Sequence, residues 1–156
     1  IVGSQSPWYE SLCVAQGATT LTLEYNKLTF DHPSMETTQD FPTGRFDVVV
    51  SASSLDHDGL GRYGDPLAPD GDLMSMHQLR GLAPLMLISV PIGPDLLAFN
   101  LMRIYGPIRL PLLFNGFDIL ATYGYDPARL NRTVANYRRT YEPVFALTPA
   151  TPDLRR

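Results

Sequence analysis

His57 is flanked by two carboxylates, Asp56 and Asp58, with Arg62, Tyr63 and Asp65 close behind in the run LDHDGLGRYGDP. These residue types can do acid–base chemistry. A neighbouring carboxylate favours the imidazolium and can orient the ring, which makes His57 the candidate general base with Asp56 beside it. Arg62 can offer a guanidinium fork to a substrate group, as can Arg103 and Arg109 further on. Each of these arginines also sits beside Tyr63, Tyr105 or a proline turn, which suits structural stacking equally well. Tyr63 and Asp65 complete the candidate substrate contacts. The acidic residues Asp56, Asp58, Asp65, Asp70 and Asp72 with His57 could alternatively give oxygen ligands to a hard cation. Their spacing matches no calcium loop, so no metal site is expected. The plain alternative is a solvated loop with a structural histidine. Leu55, Leu60 and Tyr63 interleaved with the charges favour a loop that packs down, and Gly59, Gly61 and Gly64 allow the tight turns that would aim His57 and Arg62 inward.

The elements that must position this loop start with the strand before it. Val48, Val49 and Val50 form a β-branched run, so Phe46 to Ala52 reads as a strand covered on both faces. Ligands of open α/β sheets bind beyond the carboxyl ends of their strands, where Ser51, Ser53 and Ser54 stand. A second unit precedes it. Ser6 and Pro7 suit an N-cap and first turn, predicting a helix from Pro7 to about Gln16 closed by Gly17. Thr20 to Tyr25 then reads as a strand carrying Glu24, 21 residues after Gly3. A glycine turn, a helix facing the ligand and an acidic residue about 20 positions on make an adenosine-binding or dinucleotide-binding βαβ unit, the carboxylate bridging ribose hydroxyls. GSQSP has one glycine where the dinucleotide fingerprint has three, which disfavours NAD. Gly3, Glu24 and Ser51 are expected to line one cleft.

Further along, the patterns predict a short strand near Met35 to Gln39, a helix over Asp72 to Leu82 and a buried strand from Leu85 to Pro91. Helices over Pro94 to Ile104 and Asp126 to about Arg139, and strands at Phe117 to Tyr123 and Val144 to Leu147, follow.

The 156 residues fit one domain, and a polar tail occupies 149–156. A net charge of −4 argues against a nucleic-acid binder, whose affinity is built from Lys and Arg on phosphates. The longest apolar stretch, Leu82 to Gly93, is broken by Pro84 and Pro91 and falls short of the ~20 residues of a membrane span. The chain therefore reads as soluble. One cysteine, Cys13, excludes an intrachain disulfide.

The runs SSLDHDGLGRYGDP, PDGDL, VPIGPD and RIYGPIRLP together resemble the family called domain of unknown function 268, grouped with methyltransferase-like Rossmann folds. The similarity covers Ile1 to about Leu147. It implies an α/β fold of the Rossmann-like class I methyltransferase type. That is a three-layer sandwich with a mostly parallel sheet, Phe46 to Ala52 beside the first strand, and an antiparallel strand at Val144 to Leu147 near one edge. A single domain over 1–148 is expected. The resemblance also implies S-adenosylmethionine over the turn Gly3, Ser4, Gln5 and Ser6, with Glu24 on the ribose and Ser51 and Ser53 at the methionine end. On that reading His57 removes a proton from a small polar acceptor, a sugar or carboxylate compound, which Arg62 orients. A fuller first strand before VGSQSP and a glycine-rich turn before LMLISVP are both missing, so the chain reads as truncated or as a degraded copy. The alternative is a catalytically silent domain that binds a ligand or partner in the same crevice.

Overall fold

The computed structural model describes residues 1–132 and 140–151. β-branched and apolar runs become the strands β1 (Thr20–Leu23), β2 (Met35–Thr38), β3 (Val48–Ala52), β4 (Leu85–Ser89), β5 (Leu96–Ala98), β6 (Met102–Ile104), β7 (Phe117–Tyr123) and β8 (Val144–Pro149). Three α-helices accompany them among the described residues: α1 (Trp8–Ala15), α2 (Gly71–Leu79) and α3 (Arg109–Leu113). Single 3₁₀ turns form at Leu55–His57 and Pro127–Asn131.

β3 and β4 pair in parallel, from Val48 opposite Leu85 to Ala52 opposite Ser89. β8 runs antiparallel to β4 on its other side, and β7 antiparallel to β8 with a bulge between Ile119 and Ala121. Their inner face makes the core. Val49, Met86, Ile88, Phe145 and Leu147 pack there against Leu55, Met76, Leu79 and Leu113. Phe145 meets Phe114 and Tyr125 with ring centroids 4.9 and 5.1 Å away.

The expected mostly parallel three-layer sandwich does not form. The strands make a parallel pair β1–β2, a mixed sheet ordered β3-β4-β8-β7 in which two of three pairings are antiparallel, and an antiparallel hairpin β5–β6. Between β1 and β3 runs only the segment Ile1 to Gly3. Val2 donates to the Val50 carbonyl at 2.8 Å and Gly3 to that of Leu23 at 3.0 Å, through isolated parallel bridges and no strand. β3 also departs from the two-sided burial that its valine run suggested. Val49 and Ser51 are buried while Val48 is exposed, the alternation of a strand with one covered face.

The predicted helix over Pro94 to Ile104 is instead the hairpin β5–β6. Asn100 turns it in the left-handed region, at φ +58°. Pro94 and Asp95 do carry a helix-start signal, but it acts at a distance. The Asp95 carboxylate accepts from the backbone N–H groups of Gly106, Ile108 and Arg109, at 2.8 to 2.9 Å, and so caps α3. Those donors hold its pKa below the usual carboxylate value against a burial effect that alone would raise it. The helix predicted over Asp126 to Arg139 begins as a 3₁₀ turn with Asp126 accepting from Ala128 N–H; its remainder, 133–139, lies outside the described residues.

The hairpin stays down because of a buried charge. Asp72, fully buried on α2, accepts from Arg109 Nε at 2.9 Å and Nη2 at 2.6 Å and from the Tyr105 hydroxyl at 3.0 Å. The equally buried Arg103 of β6 brings Nε to 3.5 Å. Removing one partner from a buried pair leaves an uncompensated charge, at a cost of about 3–5 kcal/mol. Asp72→Ala is therefore expected to lower the unfolding free energy by that amount, read as a lower urea midpoint at an unchanged m-value; a loss below about 1 kcal/mol would show that the cluster does not hold the hairpin.

Candidate functional site

A cavity of about 510 Å³ opens where α1, the ends of β1 and β2, the loop after β3 and one side of α2 meet. Its floor is the turn Gly3 to Ser6. Gly3 has φ +69°, and a Cβ there would fall 1.9 Å from Ser54 Oγ, so the turn admits no side chain at that point. Ser4 Oγ, buried, lies 2.8 Å from the Ser6 carbonyl and 3.1 Å from Glu10 Oε2. Glu10 reaches down from α1 and accepts from Thr22 Oγ1 at 2.6 Å. A fully buried carboxylate thus ties the turn to β1, one oxygen accepting from Thr22 and the other sharing the Ser4 hydroxyl with the Ser6 carbonyl.

Glu24 stands at the end of β1 and lines the cavity, 8% exposed, with the Asn26 N–H at 3.4 Å as the one hydrogen bond found for its carboxylate among the described residues. Around it stand Tyr25 and Phe41 from the β1 and β2 ends and Trp8 from α1, all well exposed for aromatic residues. Tyr25 is pushed up to about 12 by burial and by the carboxylates of Asp58, Asp65 and Glu24. The opposite wall carries Ser53, His57, Asp58 and Tyr63, with Ser75 and Gln78 of α2. Among the described residues, no lysine or arginine lines the space.

His57 shows the cavity its ring and keeps its nitrogens elsewhere. Nδ1 lies 2.6 Å from the Leu101 carbonyl, which can only accept, so Nδ1 carries the proton. Nε2 faces Asp56 Oδ2 at 3.4 Å. Burial lowers the imidazole pKa, and Arg62 adds to the effect, against the pull of the Leu101 carbonyl. Asp56 is fully buried with neither carboxylate oxygen hydrogen-bonded among the described residues; burial, then repulsion from Glu142, pushes it up to about 7. Asp58, also almost buried, is raised to about 6 by burial, with the Ser75 hydroxyl pulling the other way.

Of the residues that the sequence singled out, Gly3, Ser4, Gln5, Ser6, Glu24, Ser53, His57 and Tyr63 converge on this one cavity. Ser51, Asp56, Arg62, Asp65, Arg103 and Arg109 are not part of its lining. Ser51 is buried with an unpartnered hydroxyl, and Asp56 sits behind His57. Arg62 donates to the Leu101 carbonyl at 3.0 Å and stacks on Tyr63. Asp65 folds its own turn, accepting from the N–H groups of Gly61 and Tyr63. Arg103 and Arg109 are bound to Asp72. Of the other acidic residues, Asp65 accepts from N–H groups while Asp70 and Asp72 both meet Arg109 Nη2. Sequence reasoning missed Tyr25, Phe41, Ser75 and Gln78. Ser75 and Gln78, three apart and so on one face of α2, were a signal that could have been used.

The sequence matches a family profile described as Caenorhabditis protein of unknown function, DUF268, over residues 1–151. The chain belongs to that family. The DUF268 match spans every residue of the cavity wall and carries no placement in a methyltransferase superfamily. No curated protein and no solved structure matches the chain.

The raised carboxyls have a consequence for stability. Asp56 and Asp58 bind protons more tightly folded than unfolded, so they make the folded state lose stability as pH rises from about 4, the unfolded value, through about 7. His57, lowered by burial, opposes this below pH 6.5. Asp56→Asn removes the proton-linked part at that site. It is expected to be more stable than the parent at pH 8 by at least about 1.4 kcal/mol, and by less at pH 5, in urea titrations. An equal difference at both pH values would exclude a buried, proton-linked Asp56.

Proposed function

We propose that this cavity binds S-adenosylmethionine and that the chain transfers its methyl group to a small acceptor. The observation that carries the reading is the near-buried, sparsely bonded Glu24 carboxylate standing beside the Gly3 turn in one cavity, with no lysine or arginine in the described lining. A carboxylate that lacks strong donors suits a pair of ribose hydroxyls. The exposed rings of Tyr25, Phe41 and Trp8 suit a purine, which stacks on aromatic faces. Acidic and aromatic walls favour the sulfonium cation and disfavour the pyrophosphate of a dinucleotide, which would enter without a counter-charge. The volume fits one ligand of this size.

A second reading, a ligand-binding domain without catalysis, is favoured by one observation. Both ring nitrogens of His57 face protein partners, which leaves no free imidazole base in the cavity.

Calorimetric and thermal-shift titrations with S-adenosylmethionine, S-adenosylhomocysteine and NAD test the proposal. The two adenosyl compounds are expected to bind, with about 2.7 kcal/mol of stabilisation at 100 times the dissociation constant, and NAD is not. Glu24→Gln is expected to weaken S-adenosylhomocysteine by about tenfold or more, the scale of a hydrogen bond to a charged group. No shift with either adenosyl compound would refute the reading.

A further inference from the structure

The walls of the cavity restrict what can be methylated there, and three arginines that could have gripped an anionic acceptor are committed elsewhere. Arg62 donates to the Leu101 carbonyl, Arg103 to the carbonyls of Asp58 and Pro69, and Arg109 to Asp72. A carboxylate or phosphate acceptor would thus enter beside Glu24 and Asp58 with no cation among the described lining residues. Burying a charge in that way is strongly unfavourable. A hydroxyl acceptor meets a different obstacle. An alcohol is a weak nucleophile until a base takes its proton, and the one imidazole at the cavity has Nδ1 bonded to the Leu101 carbonyl and Nε2 directed at Asp56, which is not part of the lining.

An amine fits both restrictions. We infer that the acceptor is a small aliphatic amine, taken from solution as its ammonium ion and held by the Asp58 carboxylate; this rests on the S-adenosylmethionine reading above. Asp58 is 7% exposed and lines the cavity across from the exposed ring of Tyr25, whose face also attracts a cation. Its main chain is fixed from behind, because Arg103 donates to its carbonyl and Gly71 packs against that same oxygen.

The chemistry balances within these groups. The ammonium proton passes to the Asp58 carboxylate, and the freed nitrogen lone pair attacks the methyl carbon. A carbon–nitrogen bond forms as the carbon–sulfur bond breaks, its electron pair going to sulfur to leave S-adenosylhomocysteine. Asp58 then returns its proton to water. The weakly basic carboxylate suffices because the amine, once deprotonated, needs no further activation.

The test uses the full chain with S-adenosylmethionine carrying a carbon-13 methyl group and a protein-free small-molecule cell extract. Carbon–proton correlation spectra distinguish a methyl on nitrogen from one on an ether or ester oxygen, whichever compound in the extract accepts it. The expected result is new N-methyl signal, reduced at least tenfold in Asp58→Asn while S-adenosylhomocysteine affinity stays within about twofold. New signal on ether or ester oxygen overturns the amine assignment and leaves the cofactor reading standing. No new signal from a protein that binds S-adenosylhomocysteine also overturns it, in favour of the silent domain. Failure to bind S-adenosylhomocysteine overturns the cofactor reading itself. The class of product is read on the unaltered protein, so the outcome does not depend on the variant folding.

Discussion

The Asp72 carboxylate is buried completely, and a charge in that position must be met by donors from whatever surrounds it. Three elements supply them. Arg103 comes from the hairpin strand β6, Tyr105 from just after it and Arg109 from α3, while Asp72 itself belongs to α2. Arg103 does not stop at the carboxylate. Its guanidinium goes on to the carbonyls of Asp58 and Pro69, which begin and end the inward fold of the loop after β3. That loop closes so tightly that a Cβ on Gly59 would fall 2.1 Å from the Ala68 carbonyl oxygen. One ion cluster therefore determines where His57 and Asp58 stand, although neither touches Asp72 by hydrogen bond.

The other wall of the cavity depends on a second buried acid. Glu10 joins Ser4 and Thr22, so the turn beneath the cavity and the strand that delivers Glu24 move as one piece. Two classes of acidic residue result. Glu10, Asp65, Asp72 and Asp95 have their oxygens occupied by hydroxyls, N–H groups or arginines and act as fasteners. Glu24 and Asp58 face the cavity with few donors of their own. Buried polar groups are normally hydrogen-bonded, so a site is more credible at the acids that are not. Asp56 is the third under-bonded acid, and Nε2 of its neighbour His57 is directed at it.

Local chemistry is more legible in this chain than its destination. Asp95 has the side chain of a helix cap and does cap a helix, but the helix is α3, reached across the β5–β6 hairpin. The valine run does form β3, yet one of its faces is partly open, because composition reports burial and not the number of covering layers. The sheet departs furthest from expectation. Alternating strand and helix patterns favour a parallel sandwich, and Pro94 to Ile104 fits a helix by spacing alone. Arg103 cannot reach Asp72 from a solvated helix face as it does from β6, and that pairing accompanies the hairpin.

Taken alone, the chain determined the turn at Gly3, the strand ending in Glu24 and the glycine-spaced loop after Ala52, since these rest on backbone freedom and short-range patterning. Gly3, Glu24 and Ser51 were expected to line one cleft; Gly3 and Glu24 line the cavity and Ser51 does not. Only the tertiary structure decided which polar side chains face that cavity. Arg62, Arg103, Arg109 and the nitrogens of His57 had the right types for a site and were drawn to partners as many as 45 residues away. Charge pairing and carbonyl capture act through space and leave no period in the sequence, so a residue's chemistry can be read from the chain while its orientation cannot.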